Sequence, residues 1–254
     1  MKVRDALCQS HAGSLSDDQL LRWLVSHSGW LLRVRDIDGV QRPLLRQAAA
    51  GVWLQAFTDL DVLKSHCKIH GIPPGARTRT MTGSQLFAGL QDALEGVEIN
   101  PGLPEELCYP KGQFSRLRSW STVPALEQVI LEQGQAAEDI LTLWQGLYWV
   151  ASIQGPTPSL ALAPHSTHRL LALFTAPDAA GLFSQSAADE LKQEVSAGPL
   201  RGYELFPSIL TMALDGVTFN CLGPTRSVSV GMSFVKMLCE RALSVTSSRE
   251  GGAH

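Results

Sequence analysis

The chain lacks nearly every short signature that announces a chemistry. There is no G-x-S-x-G and no cysteine in a recognisable catalytic setting, which leaves no local sign of a nucleophile. Neither G-x-G-x-x-G nor a P-loop occurs, so nucleotide binding through those Gly-rich cradles is not expected. Cysteine is sparse: Cys8, Cys67, Cys108, Cys221 and Cys239 are odd in number, widely spaced and form no C-x-x-C pair. That is the pattern of free thiols in a reducing compartment. No run of 18 apolar residues exists, and residues 1–14 are polar, so neither a membrane span nor a signal peptide is expected. These absences together lead to the expectation of a cytoplasmic protein with no cofactor, no metal and no catalytic residue. Charge is modest too, at 18% charged residues and a net −3. Residues 1–122 carry 14 Lys and Arg against 12 Asp and Glu, while residues 123–254 carry 7 against 12. Neither half is basic enough to predict nucleic-acid binding.

What is present is a duplication. Ala56-Phe57-Thr58-Asp59 returns as Leu173-Phe174-Thr175-Ala176. Gly83-Ser84-Gln85-Leu86-Phe87 returns as Gly202-Tyr203-Glu204-Leu205-Phe206, and Gly96-Val97-Glu98-Ile99-Asn100 as Gly216-Val217-Thr218-Phe219-Asn220. The offsets are 117, 119 and 120. A period this long excludes a solenoid unit and predicts two similar small domains, over residues 1–122 and 123–246, with a disordered tail at 247–254.

Local patterns order the elements. Ser16 with Gln19 forms a capping box for an amphipathic helix through Leu20, Leu21 and Leu24. A strand comes next, over 30–35. Asp38-Gly39 turns it back, and Pro43 confines the next segment to an edge or a loop. A strand at 52–57 leads into a helix after Thr58 and Asp59. A second helix starts near Gly83 and carries Leu86, Phe87, Leu90 and Leu94, with Gly96 as its stop. Val97-Glu98-Ile99 is a short strand. The stretch 104–121 reads as an irregular basic connection, then a helix covers about 124–133. The second copy repeats the order with a strand at 170–174, two helices, a strand at 217–219 and a final helix over 232–245. The fold class is α+β, two mixed sheets each with helices packed on one face.

Ala56-Phe57-Thr58, then Gly83-x-x-Leu86, then Gly96-Val97-x-Ile99-Asn100-Pro101-Gly102 resembles the SseB-like domain over about residues 15–105. The second copy resembles a diverged version, with Cys221-Leu222 in place of Pro-Gly. The resemblance implies a non-catalytic bacterial domain, in some members a secretion-associated regulator, and brings no catalytic residue with it.

The candidate partner-binding residues fall in two groups. One is the turn Asn100-Pro101-Gly102, with Asn220 as its counterpart. Asn before Pro-Gly suits a turn that the Asn side chain holds by bonding its own backbone. The other is Phe114, Arg116, Arg118 and Trp120, which with Arg77, Arg79 and Lys111 forms a basic, aromatic set. Trp120 is the tryptophan expected at the surface, where Trp beside Arg is a common interface anchor. Phe57-Thr58 and Phe174-Thr175 read as a core aromatic followed by a helix cap. His66 and His70 at i, i+4 could face one metal, as could His165 and His168, but neither pair has further ligands near it in sequence.

These readings converge on a non-catalytic protein-binding or regulatory module, tied through the resemblance to secretion or assembly. It is expected to be a monomer, because the repeat supplies its own partner face. The alternative is a small-ligand binder or enzyme using a cleft between the repeats. A deep pocket lined by perturbed titratable groups would count in favour of that alternative.

Overall fold

The computed structural model describes residues 2–156, 158–164 and 167–250. The chain divides into two compact units, Met1–Pro124 and Ala125–His254, two residues beyond the expected boundary. Unit 1 contains α1 (Val3–His11), α2 (Asp17–Ser26), β1 (Trp30–Ile37), β2 (Val40–Pro43), β3 (Leu45–Ala48), β4 (Gly51–Phe57), α3 (Leu60–His70), β5 (Ala76–Met81), α4 (Gly83–Ala88), β6 (Gly96–Ile99), β7 (Leu107–Pro110) and α5 (Phe114–Ser121). The next helix, α6 (Val123–Glu132), has the unit boundary in its first turn. Unit 2 continues with α7 (Ala137–Gln145), β8 (Leu147–Ile153), β9 (Ser159–Leu160), β10 (Leu170–Phe174), α8 (Pro177–Leu191), β11 (Val195–Arg201), α9 (Gly202–Leu210), β12 (Gly216–Phe219), β13 (Val228–Gly231) and α10 (Met232–Glu250). The fold is α+β, and the two units share one element order, with β9 standing where unit 1 has β2 and β3.

The sheets share one plan. In unit 1, β1 pairs with β5 on one side and β4 on the other, and β4 continues to β6 and β7. In unit 2 the order is β11-β8-β10-β12-β13. The pairs β4–β6 and β10–β12 are parallel, and the others are antiparallel. In unit 1, β1 and β4 meet directly only at Leu31–Leu32 against Ala56–Phe57. Beyond that they diverge, and the hairpin fills the gap. β2 bonds β1 and, past Pro43, β3 bonds β4. The segment after Pro43, expected to be an edge or a loop, is the strand β3, paired with β4 alone. Asp38 and Gly39 make the turn with φ of 55° and 76°, the left-handed pair that a type I′ hairpin requires.

Helix starts follow their side chains. Ser16 and Gln19 cap α2 reciprocally at 3.3 and 3.0 Å. Thr82 and Gln85 do the same for α4. Gly83 and Gly202 recur for a steric reason. A Cβ on Gly83 would lie 2.1 Å from the Leu24 carbonyl oxygen, and one on Gly202 2.4 Å from that of Leu143. Only glycine lets these helices approach so closely. Gly96 does not end a helix. α4 stops at Ala88 with Gly89 as its cap, and Gly96 opens β6.

The helices take both faces of each sheet. In unit 2, one face packs Tyr148, Val150, Leu171, Leu173, Val217 and Phe219 against α7, α9 and α10. The other packs Ala151, Ala172 and Phe174 against Ala179, Ala180 and Phe183 of α8. In unit 1, Trp30 reaches α2 through its Nε1–H to the Leu24 carbonyl and meets Phe87 of α4 edge-on. On the opposite face α3 sets Val62 and Leu63 against Phe57. The single helix on that second face, α3 or α8, is what builds a site.

Four strands escape a reading by pattern. β5 is Ala-Arg-Thr-Arg-Thr-Met and almost wholly exposed, and β11 contains Gly198-Pro199. Neither shows the apolar alternation that marks a half-buried strand. Their pairing with β1 and β8 makes them strands. β7 lies inside the stretch 104–121 that reads as an irregular connection, and β13 ends at Gly231, directly before the final helix. α10 follows β13 as α5 follows β7, so its counterpart is α5 rather than the helix at 124–133. It runs to Glu250, past the expected start of a tail at 247, and residues 251–254 lie outside those described. Among the described residues no helix is long and apolar enough to cross a membrane.

Candidate functional site

The face of the unit 1 sheet under α3 carries a row of polar side chains. Arg33 comes from β1, Arg46 from β3, Gln55 from β4 and Glu98 from β6, with His66 and His70 above them on α3. Together with Pro101, Gly102 and Glu106 they line a cavity of about 370 Å³.

One chain of hydrogen bonds crosses this floor. His66 Nδ1 lies 3.1 Å from the Pro101 carbonyl. A carbonyl can only accept, so Nδ1 carries the proton and Nε2 is an acceptor. Arg33 donates to that Nε2 at 3.4 Å and to Gln55 Oε1 at 2.8 Å. Gln55 donates to Glu98 Oε2 at 3.1 Å. Arg46 closes the row with a bidentate fork on Glu98, its Nε 2.8 Å from Oε2 and its second nitrogen on Oε1. Glu98 is buried with all three donors on it.

The electrostatics follow from burial. Desolvation holds the His66 pKa below its ordinary value, opposed by the Pro101 carbonyl and aided by the Arg33 charge. The bond to Glu98 raises Arg46 further. Desolvation and the hydrogen bond from Cys108 to Glu106 push the Cys108 thiol up to about 11. Arg33 Nε is buried with no acceptor. Among the described residues Arg33 makes no ion pair, and its guanidinium stands 6.0 Å over the Phe57 ring.

Glu98, Glu106 and Cys108 bring three possible metal ligands within 4.8 Å of one another. They suit a cation poorly, because Arg46 and Gln55 already hold Glu98. The His66–His70 pair is equally unsuited. Its rings lie 4.4 Å apart, but both nitrogens of His66 are engaged. His165 lies outside the described residues, and His168 stands 3.9 Å from Asp215.

The sequence candidates land in other roles. Asn100 is fully buried in a left-handed conformation, and its Oδ1 accepts the Thr58 N–H at 3.0 Å. Asn220 does the same for Thr175 at 3.0 Å. Each Asn clasps the end of the neighbouring strand, rather than its own turn or a partner. Thr58 and Thr175 are therefore not helix caps. Asp59 caps α3 by accepting from Asp61 and Val62. Pro101 and Gly102 do reach the cavity, Pro101 through its carbonyl.

The aromatic members of the basic set are folded inward, while Arg77, Arg79, Lys111 and Arg116 stay exposed. The segment 114–121 is helix α5, with Phe114 and Trp120 only 2% and 4% exposed. Arg22 covers the Trp120 ring at 5.9 Å. Arg116 pairs with Asp18 at 2.7 Å, and Arg118 with Asp92 at 2.7 Å and the Leu90 carbonyl. Charged neighbours in sequence point to an exposed Trp120. A helix that buries every third or fourth residue gives the opposite result. Arg33, Arg46, Gln55, Glu98 and Glu106 belong to no local motif. Their one signal in the sequence is a polar residue inside an apolar strand, as in Leu32-Arg33-Val34 and Leu54-Gln55-Ala56, against Ala151 and Ala172 in the second copy.

The same place in unit 2 is apolar. Strand register puts Ala151 where Arg33 stands, Ala172 for Gln55 and Thr218 for Glu98. Phe183 replaces His66, packing on Phe174 at 5.0 Å as His66 packs on Phe57 at 5.0 Å. A groove of about 150 Å³ remains, lined by Ala161, Phe183, Ala187 and Leu222 among others.

No family model matches the chain, and no curated protein matches it. Among solved structures it is similar to Anabaena Tic22 (protein transport), at 11% identity over 78% of this chain and 88% of that one, with a TM-score of 0.22. A likeness that low carries no argument about function.

Proposed function

We propose that the chain is a non-catalytic binding and regulatory module for another protein, with the unit 1 cavity as its recognition site. The observation behind this reading is the closed hydrogen-bond row from Pro101 to Arg46. His66 has both nitrogens engaged and Glu98 is held by three donors. The floor thus offers fixed donors, with its His66 and Glu98 committed to hydrogen bonds, which supports recognition over reaction. Five unpaired cysteines support a reducing, cytoplasmic setting. The SseB-like relationship, and with it a role in bacterial secretion or assembly, belongs to this proposal. So does the monomeric state.

The test is quantitative co-purification from native cells with three tagged forms: wild type, His66→Phe with Gln55→Ala, and a surface control, Glu190→Gln, in unit 2. The reading expects a protein captured by wild type and by the control and lost with the paired change. Capture unaffected by the paired change would overturn it. A small-molecule binder is the second reading, favoured by a cavity lined by convergent Arg, His and Glu side chains. Native mass spectrometry of the purified protein would show it as a retained mass that the paired change removes.

A further inference from the structure

We infer that the unit 1 cavity binds a single carboxylate through Arg33. This rests on the recognition reading above and names what that site recognises. The argument is one of hydrogen-bond accounting. Both acidic side chains in the cavity wall are already supplied with donors: Glu98 by Arg46 and Gln55, and Glu106 by the Gly102 N–H at 2.8 Å and Cys108 Sγ at 3.5 Å. Arg46 spends its fork on Glu98. What remains is the Arg33 guanidinium, which lines the cavity, bonds only the neutral groups Gln55 and His66, and has no carboxylate among the described residues. A cation facing a cavity without a counter-charge calls for an anionic acceptor.

Charge selects the acceptor. Arg33 carries one positive charge that Gln55 and neutral His66 orient without neutralising. A carboxylate brings one negative charge and two acceptor oxygens, matched to a guanidinium. A phosphate dianion brings a second charge toward Glu98 and Glu106, which repel it. The cavity, at about 370 Å³, admits a chain end or a short acidic side chain. In unit 2 alanine occupies the Arg33 position, so the site is confined to one copy.

The test uses the whole 254-residue chain, 15N-labelled, and follows the arginine Nε–H resonances. Arg33 is assigned by its loss in Arg33→Lys, a variant that keeps the charge and removes the Nε–H, with circular dichroism confirming that it is folded. Three probes are added separately: N-acetylglycine, its amide, and inorganic phosphate. The expected result is saturable movement of the Arg33 signal and slowed solvent exchange with N-acetylglycine alone. Affinity for that probe should fall about tenfold or more in Arg33→Lys. Equal response to the amide, preference for phosphate, or a still Arg33 signal with all three would overturn the assignment. The wild-type comparison of acid and amide needs no variant, so a misfolded Arg33→Lys does not obscure the result. A silent Arg33 with cleft-dependent protein capture intact would sink the carboxylate and spare the recognition reading. A responsive Arg33 with capture unaffected by the cleft would do the reverse.

Discussion

Under α3 the sheet face carries Arg33, Gln55 and Glu98; under α8 it carries Ala151, Ala172 and Thr218. Both faces sit on the same strand order and the same register, and both are covered by one helix from the same point in the chain. The fold therefore does not need the polar row. What the two units share is different: the Asn100–Thr58 and Asn220–Thr175 clasps, the glycines that start α4 and α9, and a Trp30 or Tyr148 that donates to a carbonyl of the preceding helix. The shared residues hold the backbone, and the unshared ones decorate one face of it. A duplicated chain separates these two classes without any outside comparison.

The sharpest way to break this comparison is to move charge across it. Ala172→Glu places a carboxylate at a fully buried site with no arginine facing it. It should destabilise unit 2 by about 3–5 kcal/mol, whereas Gln55→Ala in unit 1 should cost about 1–2 kcal/mol. Hydrogen exchange of the intact chain, read peptide by peptide, measures each unit separately. Equal costs would mean that the two faces are not so different as their residues.

The clasps should behave alike. Asn100→Ala and Asn220→Ala each strand a buried N–H and force alanine into a left-handed conformation, for about 2–3 kcal/mol apiece in their own units. If one change is nearly silent under the same exchange measurement, the clasp is not part of the common frame.

His66→Phe imports the residue of unit 2 and should cost unit 1 about 1 kcal/mol or less, since a phenyl ring already packs there in the other copy. Its larger effect is on pH. The folded pKa of His66 is depressed, so the unfolded chain binds the proton more readily. His66 stabilises fully above its unfolded value, about 6.5, and that stability is lost as pH falls below it toward the folded value. The variant should flatten this acid-side decline in unit 1, and a decline of unchanged slope would rule His66 out as its cause.

The smallest effect concerns Cys108, whose counterpart is Ser229 by strand register. With a thiol near 11, it should alkylate more slowly with iodoacetamide at pH 8 than a free cysteine does. Glu106→Gln should speed it severalfold by removing a neighbouring negative charge. Identical rates would show that Glu106 does not hold the proton.

The duplication, the α+β class and the caps at Ser16 and Asp59 are legible in the sequence because they depend on local chemistry or on self-similarity. The exposed strands β5 and β11 are not, since only pairing partners define them. The cavity is hidden for a related reason. Its members come from β1, β3, β4, α3, β6 and the connection to β7, spread over residues 33–106, and no short motif links them. Arg118 and Trp120 draw attention because they are close to each other and to other charges. Arg33 and Gln55 do not, because each stands alone among apolar neighbours.

The Asn–Thr clasps also bear on the order of events in folding. Thr58 and Asn100 lie 42 residues apart, and Thr175 and Asn220 lie 45 apart, whereas the β3–β4 hairpin closes over a few residues. Closing the long loop before the hairpin would cost chain entropy with little in return. The clasps are then expected to form late. Removing either should leave the refolding rate of its unit nearly unchanged and make that unit unfold faster.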